Sequence, residues 1–304
     1  MTRALFFLVL QIAGPHRHVA VTFDDLPGNT ARLGTGAVSG VMRDLVAVLV
    51  KQQVPAIGFV NEGKLYVSGR LDTARVGLLE QWLQAGLDLG NHTFSHKSLN
   101  EERLSDFERD VLLGEGVTRP LMAKHGRKLL YFRHPFLHTG GSVEKKRVFD
   151  RFLERHGYVI APVTIDNYDY AFARVYDSVL ALGDSTAARL VRRNYVSYID
   201  TVFGFCEAQS RTILGEELPQ VLLLHASRLN ADSFDDLAAM MRRRGYGFIS
   251  LADALTHAAY HRHVDRYAGP AGISWLHRWA LSEGMATSVF AGEPDVPSFV
   301  APYR

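Results

Sequence analysis

The apolar positions along the chain fall into two alternating rhythms. Short continuous runs occur at residues 18–23 (HVAVTF), 55–60 (PAIGFV), 87–90 (LDLG), 129–132 (LLYF), 158–165 (YVIAPVTI), 220–224 (QVLLL) and 246–250 (YGFIS). Runs of this length and composition mark strands buried on both faces. Between them, apolar residues three and four apart predict helices over 38–53, 73–85, 99–124, 143–156, much of the region up to 217, 234–244 and 252–260. Seven strand–helix units in this order predict a parallel sheet covered by helices. The expected fold class is α/β, a (β/α)7-type barrel related to the eight-fold (β/α) barrel or an incomplete form of it, with a doubly wound open sheet as the alternative. No Pro- or Ser-rich linker divides residues 15–263, which read as one domain.

The two ends break the rhythm. Residues 264–304 read as a C-terminal appendage, with an amphipathic helix in GPAGISWLHRW and a Pro-rich extended tail, EPDVPSFVAPYR. Residues 1–14, MTRALFFLVLQIAG, place Arg3 before an apolar centre, as a short secretory signal does. The segment is too short to span a membrane, and no clean small-x-small cleavage pattern follows it. This reading leans to export, to the periplasm or cell envelope. A cytoplasmic chain whose first strand or helix lies here is the alternative.

Composition narrows the function classes. With 304 residues, 47% of them hydrophobic, a large core is available. The formal net charge of +2 marks no nucleic-acid binder, and clusters such as Arg242-Arg243-Arg244 read as solvated helix faces. The single cysteine, Cys206, excludes an intrachain disulfide and a Cys-rich zinc site, and sits in an apolar stretch as a small core residue.

The chemistry lies at the strand ends. In barrels of this kind, reactive groups come from the C-terminal ends of the strands and the loops after them. Here those ends carry Asp24-Asp25, Asn61-Glu62, His92 and His96 within NHTFSH, Arg133-His134-Pro135, Asp166-Asn167-Tyr168-Asp169, and His225. Scattered surface charge would not sort itself this way. Two His four residues apart on one helical turn can share a metal ion. His134/His138 and His257/His261 have the same spacing but no carboxylate-bearing strand end of their own. His92 and His96 with one aspartate of the first pair make three ligands and an open position, the pattern of a catalytic zinc rather than a structural one. The second aspartate then serves as a base for an attacking water, His225 as a proton donor to a leaving group, and Arg133 as the holder of a carboxylate.

These residues match a known pattern. The sequence resembles the polysaccharide deacetylases with the NodB-homology domain, carbohydrate esterase family 4, over about residues 18–255. Five motifs carry the resemblance, in the family's order: TFDD at Thr22–Asp25, HTFSH at His92–His96, RHPF at Arg133–Phe136, DNYDY at Asp166–Tyr170 and LLLH at Leu222–His225. The resemblance implies a distorted NodB-like barrel and one divalent metal ion, expected to be Zn2+, on Asp25, His92 and His96. It implies Asp24 as general base and Arg133 as its partner. The backbone N–H of Phe136 would be an oxyanion donor, and His225 the acid, tuned by Asp169 or else Asp166. The partner would be a glycan with an N-acetylated amino sugar, with no nucleic acid and no stable membrane insertion. Oligomeric state is left open.

Three departures stand out, all expected at the rim of the substrate groove. Leu26 and Leu137 stand where the family has Gly, and Tyr170 where it has Trp. They bear on substrate more than on chemistry. The alternatives kept open are a metal-dependent hydrolase of a small non-sugar amide or imide, and an inactive glycan-binding barrel.

Overall fold

The computed structural model describes residues 17–28 and 34–304; the apolar segment 1–14 lies outside them. Seven parallel strands of the described residues form one curled sheet. They are β1 (Arg17–Leu26), β2 (Ile57–Val60), β5 (Asp88–Asn91), β6 (Tyr131–Phe132), β7 (Val159–Ile160), β8 (Gln220–His225) and β9 (Tyr246–Phe248). A two-stranded hairpin, β3 (Tyr66–Val67) and β4 (Arg70–Leu71), stands apart from the sheet. The spatial order is β7-β6-β5-β2-β1-β8, and β9 pairs with the start of β1. Between the strands run the helices α1 (Thr35–Lys51), α2 (Thr73–Gln84), α3 (Leu104–Leu113), α4 (Thr118–Lys124), α5 (Val143–Arg155), α6 (Asp169–Ala181), α7 (Ser185–Leu214), α8 (Arg228–Arg243), α9 (Leu251–Leu255) and α10 (Ala259–Arg262). A further helix, α11 (Trp275–Ser282), follows the last strand. The expected α/β class and curled parallel sheet are thus borne out. Among the described residues, no helix is long and apolar enough to cross a membrane.

The sheet almost closes on itself. Pro162 cannot donate to a ladder, so the run 158–165 keeps only Val159–Ile160 as strand. The chain then crosses to the other edge, where Ile165 bridges Leu222 and the Thr164 and Ile165 N–H groups reach the Val221 carbonyl at 3.0 Å. One rung runs across the sheet as Leu26, Val60, Asn91, Phe132 and Ile160. The residues just past it, Asn61, His92 and Arg133 among them, therefore emerge at the same edge.

Several expected helices differ. The stretch 99–124 is two helices, because Gly114 ends the first; a Cβ there would lie 2.5 Å from the Thr93 backbone carbonyl carbon. Buried Glu62 accepts hydrogen bonds from Val117 N and Thr118 N at the start of the second. The helix expected over 252–260 is likewise two short pieces, α9 and α10, and the tail expected to be extended contains a 3-10 turn at Ala301–Tyr303.

Leu26 is not at a groove rim. It is fully buried, and its side chain fills the space above Gly58, where a Cβ would lie 2.3 Å from Leu26 Cδ2. The segment after residue 263 packs against the site end of the sheet. Arg278 is fully buried, bonds Asp265 at 2.9 Å and Thr139 Oγ1, and reaches the Leu137 carbonyl at 3.4 Å. Gly272 lies so close to the Phe136 carbonyl that any Cβ would come within 1.8 Å of it. This arm braces the loop that follows β6.

Candidate active site

Adjacent residues of a regular strand point to opposite faces, so Asp24 and Asp25 should not share a site. A β-bulge resolves this. Phe23 pairs with Gly58 and Leu26 with Val60, so β1 advances three positions while β2 advances two. Asp25 takes up the extra residue in the left-handed region, at φ 71°. Both carboxylates then face one cleft of about 970 Å3. On the other side of β1, Asp24 is the register partner of His225, so the parallel ladder sets these two groups side by side.

Each aspartate has its own cation. Arg133 Nη1 lies 3.4 Å from Asp24 Oδ1, and the guanidinium is fully buried. It is held from all sides, donating to the Ala161 carbonyl at 3.0 Å and to Thr22 Oγ1 at 3.0 Å. Burial pushes the Asp24 carboxyl upward, with Arg133 pulling against it. Asp25 differs. Burial raises its carboxyl too, but the Lys64 ammonium, with the imidazoles of His96, His225 and His92, outweighs it and holds the group well below the usual range. Lys64 Nζ stands 2.9 Å from Asp25 Oδ1.

The two histidines meet through a loop, not through the helical turn the spacing implied. Thr93 and His96 both have positive φ, at 64° and 53°. Asn61 Nδ2 donates to the Thr93 and Phe94 carbonyls, and Ser95 N and Oγ both donate to Asp110. These contacts fold the loop so that the imidazole centroids lie 4.8 Å apart. His92 Nδ1 sits 2.8 Å from the Arg133 carbonyl, which fixes the tautomer with a proton on Nδ1 and leaves Nε2 as a lone pair facing the aspartates. Burial lowers both imidazoles, each to about 4, so both are neutral and able to ligate at pH 7.

The donor set fits a divalent ion. One ligand atom from each of Asp25, His92 and His96 lies within 4.8 Å of the others. Asp25 Oδ1 is buried, and beyond the ion pair with Lys64 it has no hydrogen-bond partner, which leaves lone-pair capacity for a metal ion. Neutral imidazoles with one carboxylate suit zinc and its neighbours in the first transition row. His134, by contrast, is buried among Phe132 and Phe149, and His138 Nδ1 is engaged by Ser98 Oγ.

His225 has a support of its own. Asp169 accepts from His225 Nδ1 and from His225 N, both at 2.7 Å. Asn230 Nδ2 bonds the same carboxylate at 2.7 Å, and Tyr195 OH donates to Asn230 Oδ1. Burial works against charge on the imidazole, but Asp169 overcomes it and raises the group from 6.5 to about 9. Of the two aspartates of the fourth motif, Asp169 is the one that touches His225. Asp166 lies apart, pushed up by burial to about 7. Because the folded value lies above the unfolded one, this pair contributes stability that is complete below about 6.5 and lost as pH rises through about 9. Urea unfolding between pH 6 and 10 should show that decline in the wild type, and Asp169→Asn should flatten it.

The cleft walls are aromatic. Tyr66, Phe94, Phe136, Tyr168 and Tyr170 line it. The Phe136 ring is half-exposed and meets His96 edge-on at 4.6 Å, and Tyr170 meets His225 at 6.0 Å. Leu137 lines the cleft with a positive φ of 54°, at the position where the resembled family has Gly. Lys64, Asn230 and Gly114 were not singled out from the sequence. Lys64 lies in the turn after β2, on the same edge as the other groups, and extending the strand-end rule by one turn would have found it.

Comparison with known proteins agrees with the motifs. Residues 11–148 match the family model described as polysaccharide deacetylase. No curated protein matches the chain. Among solved structures, a carbohydrate esterase family 4 pseudoenzyme, a mutant with restored enzymatic activity, is 15% identical over 79% of this chain and 68% of its own, with a TM-score of 0.50. The wild-type pseudoenzyme from Bacillus anthracis is 12% identical over 79% of this chain and 66% of its own, also at 0.50. The peptidoglycan deacetylase PdaC of Bacillus subtilis is 16% identical over 82% of this chain and 96% of its own, at 0.49. The resemblance to the polysaccharide deacetylases is borne out, and at these identities the two structures at a TM-score of 0.50 speak for the fold alone.

Proposed function

We propose, from the likeness to the polysaccharide deacetylases that the motifs and the family model share, that this chain is a metal-dependent hydrolase of N-acetyl groups. Its substrate would be a GlcNAc-containing polysaccharide or oligosaccharide, peptidoglycan or chitin-like. The observation that carries this reading is the bulge at Asp24-Asp25, which puts two carboxylates with separate cations into one cleft beside His225. Aromatic walls suit the apolar faces of sugar rings, and the cleft has room for more than one of them.

Each group would then have one task. Asp25, His92 and His96 would hold a divalent ion, with zinc the expected metal, which would supply Lewis acidity toward the acetyl carbonyl. Asp24, oriented by Arg133, would take a proton from the attacking water. The backbone N–H of Phe136 would donate to the developing oxyanion. His225 would give its proton to the departing nitrogen as the carbon–nitrogen bond breaks, leaving acetate and a free amine. With its pKa near 9, His225 is protonated at neutral pH, as an acid must be. Asp169 would keep it so. An exported protein would meet such glycans in the cell envelope.

The inactive-barrel reading is disfavoured because base, ligands and acid are all present and all face one cleft. The test is acetate release from chito-oligosaccharides and from purified peptidoglycan, with metal-stripped protein and with added Zn2+. Zinc-dependent release from either is expected. No release from either, alongside turnover of a small amide, would replace this reading with the non-sugar hydrolase.

A further inference from the structure

The two cations beside the aspartates are not equivalent. Arg133 is walled in by the Ala161 carbonyl, Thr22 and the ring of Phe59, and has nowhere to go. Lys64 sits in the short 3-10 turn Glu62–Leu65, and its side chain retains some exposure to the cleft it lines. Its ammonium is 2.9 Å from Asp25 Oδ1, the same oxygen that faces His96 Nε2 at 3.6 Å. It also reaches toward the Asp25 carbonyl at 3.5 Å.

Charge makes this arrangement consequential. Asp24 with Arg133, and Asp25 with Lys64, form two neutral pairs, and His225 with Asp169 forms a third. Adding a divalent ion beside Asp25 would bring two positive charges next to an ammonium in a poorly solvated cleft. Like charges a few ångströms apart there repel strongly.

We infer that Lys64 is a tethered counter-ion of Asp25, which balances the carboxylate before metal loading, is displaced from it by the incoming ion, and so lowers the site's affinity for metal. The inference rests on the reading of Asp25, His92 and His96 as ligands. The flexible four-carbon stem of Lys64 lets it swing into the cleft, which the fixed guanidinium of Arg133 does not allow.

The test compares metal-stripped wild type, Lys64→Met and Lys64→Arg by calorimetric titration with Zn2+ and by thermal melting with and without the ion. Lys64→Met should bind Zn2+ at least ~10-fold more tightly, since a repelling charge is gone. It should melt lower than wild type when metal-free, because Asp25 is then buried without a cation, and its rise in Tm on loading should be larger. Lys64→Arg should stay near the wild-type Kd. A lysine with a purely structural role would lower both melting temperatures together and leave Kd unchanged, and that result would overturn the inference. Should Lys64→Met not fold without metal, Lys64→Gln carries the same comparison, with the same outcomes. If neither the wild type nor the variants bind Zn2+, the ligand reading itself falls, and the inference falls with it.

Discussion

Asp24→Asn should lower kcat for acetate release by a factor of about 10²–10⁴, the usual worth of a positioned general base, while Zn2+ affinity changes little. The amide keeps the shape of the side chain but cannot accept a proton from water at neutral pH. In the proposed site the carboxylate ligand would come from Asp25, on the neighbouring bulged residue, and not from Asp24. Calorimetric titration beside steady-state kinetics separates the two effects. Asp25→Asn, in contrast, should lose metal and turnover together. Were Asp24→Asn to keep most of its activity with metal bound, the base would have to be sought elsewhere, and Asp166, which lines the same cleft, would be the next carboxylate to test.

Arg133→Met should cost about 3–5 kcal/mol of folding stability, the usual penalty for removing one partner of a buried ion pair. The methionine fills much of the volume but leaves Asp24 without its cation and the Ala161 carbonyl without a donor. The Arg133 carbonyl still holds His92 Nδ1, so the defect should fall on stability and on the base rather than on the ligands. Urea unfolding measures the loss directly. The double variant Asp24→Asn/Arg133→Met should recover part of it, since no unpaired charge then remains. If the single variant proved as stable as wild type, Arg133 could not be the partner that keeps Asp24 charged.

Much of this molecule was legible along the chain because local pattern and global fold agree. Each apolar run became a strand, and the ionisable residues at the ends of those runs reached one edge, because the Leu26-to-Ile160 rung aligns them. What stayed hidden depends on pairing across distance. The bulge at Asp24-Asp25 exists only relative to β2, so no periodicity within β1 reveals it. The left-handed backbone of Thr93 and His96 is imposed by Asn61, Asp110 and the close approach of Gly114, none of them adjacent in sequence. Leu26 looked like a rim residue by analogy, yet it is core because Gly58 leaves room for it. Lys64 carries no motif, and its importance comes from what it faces.

The brace on the loop after β6 has a consequence for how the protein is made. The groups that sit on the sheet, Asp24, His92, Arg133 and His225, all precede residue 264, whereas Gly272 and Arg278 leave the ribosome later. The Phe136–Leu137 turn, held at positive φ, therefore gains the contacts that pin it only after residues 272–278 have been made. Trp275, Leu276 and Trp279 join the same buried core as the strands, so this late-synthesised arm completes the core and pins the turn in one step.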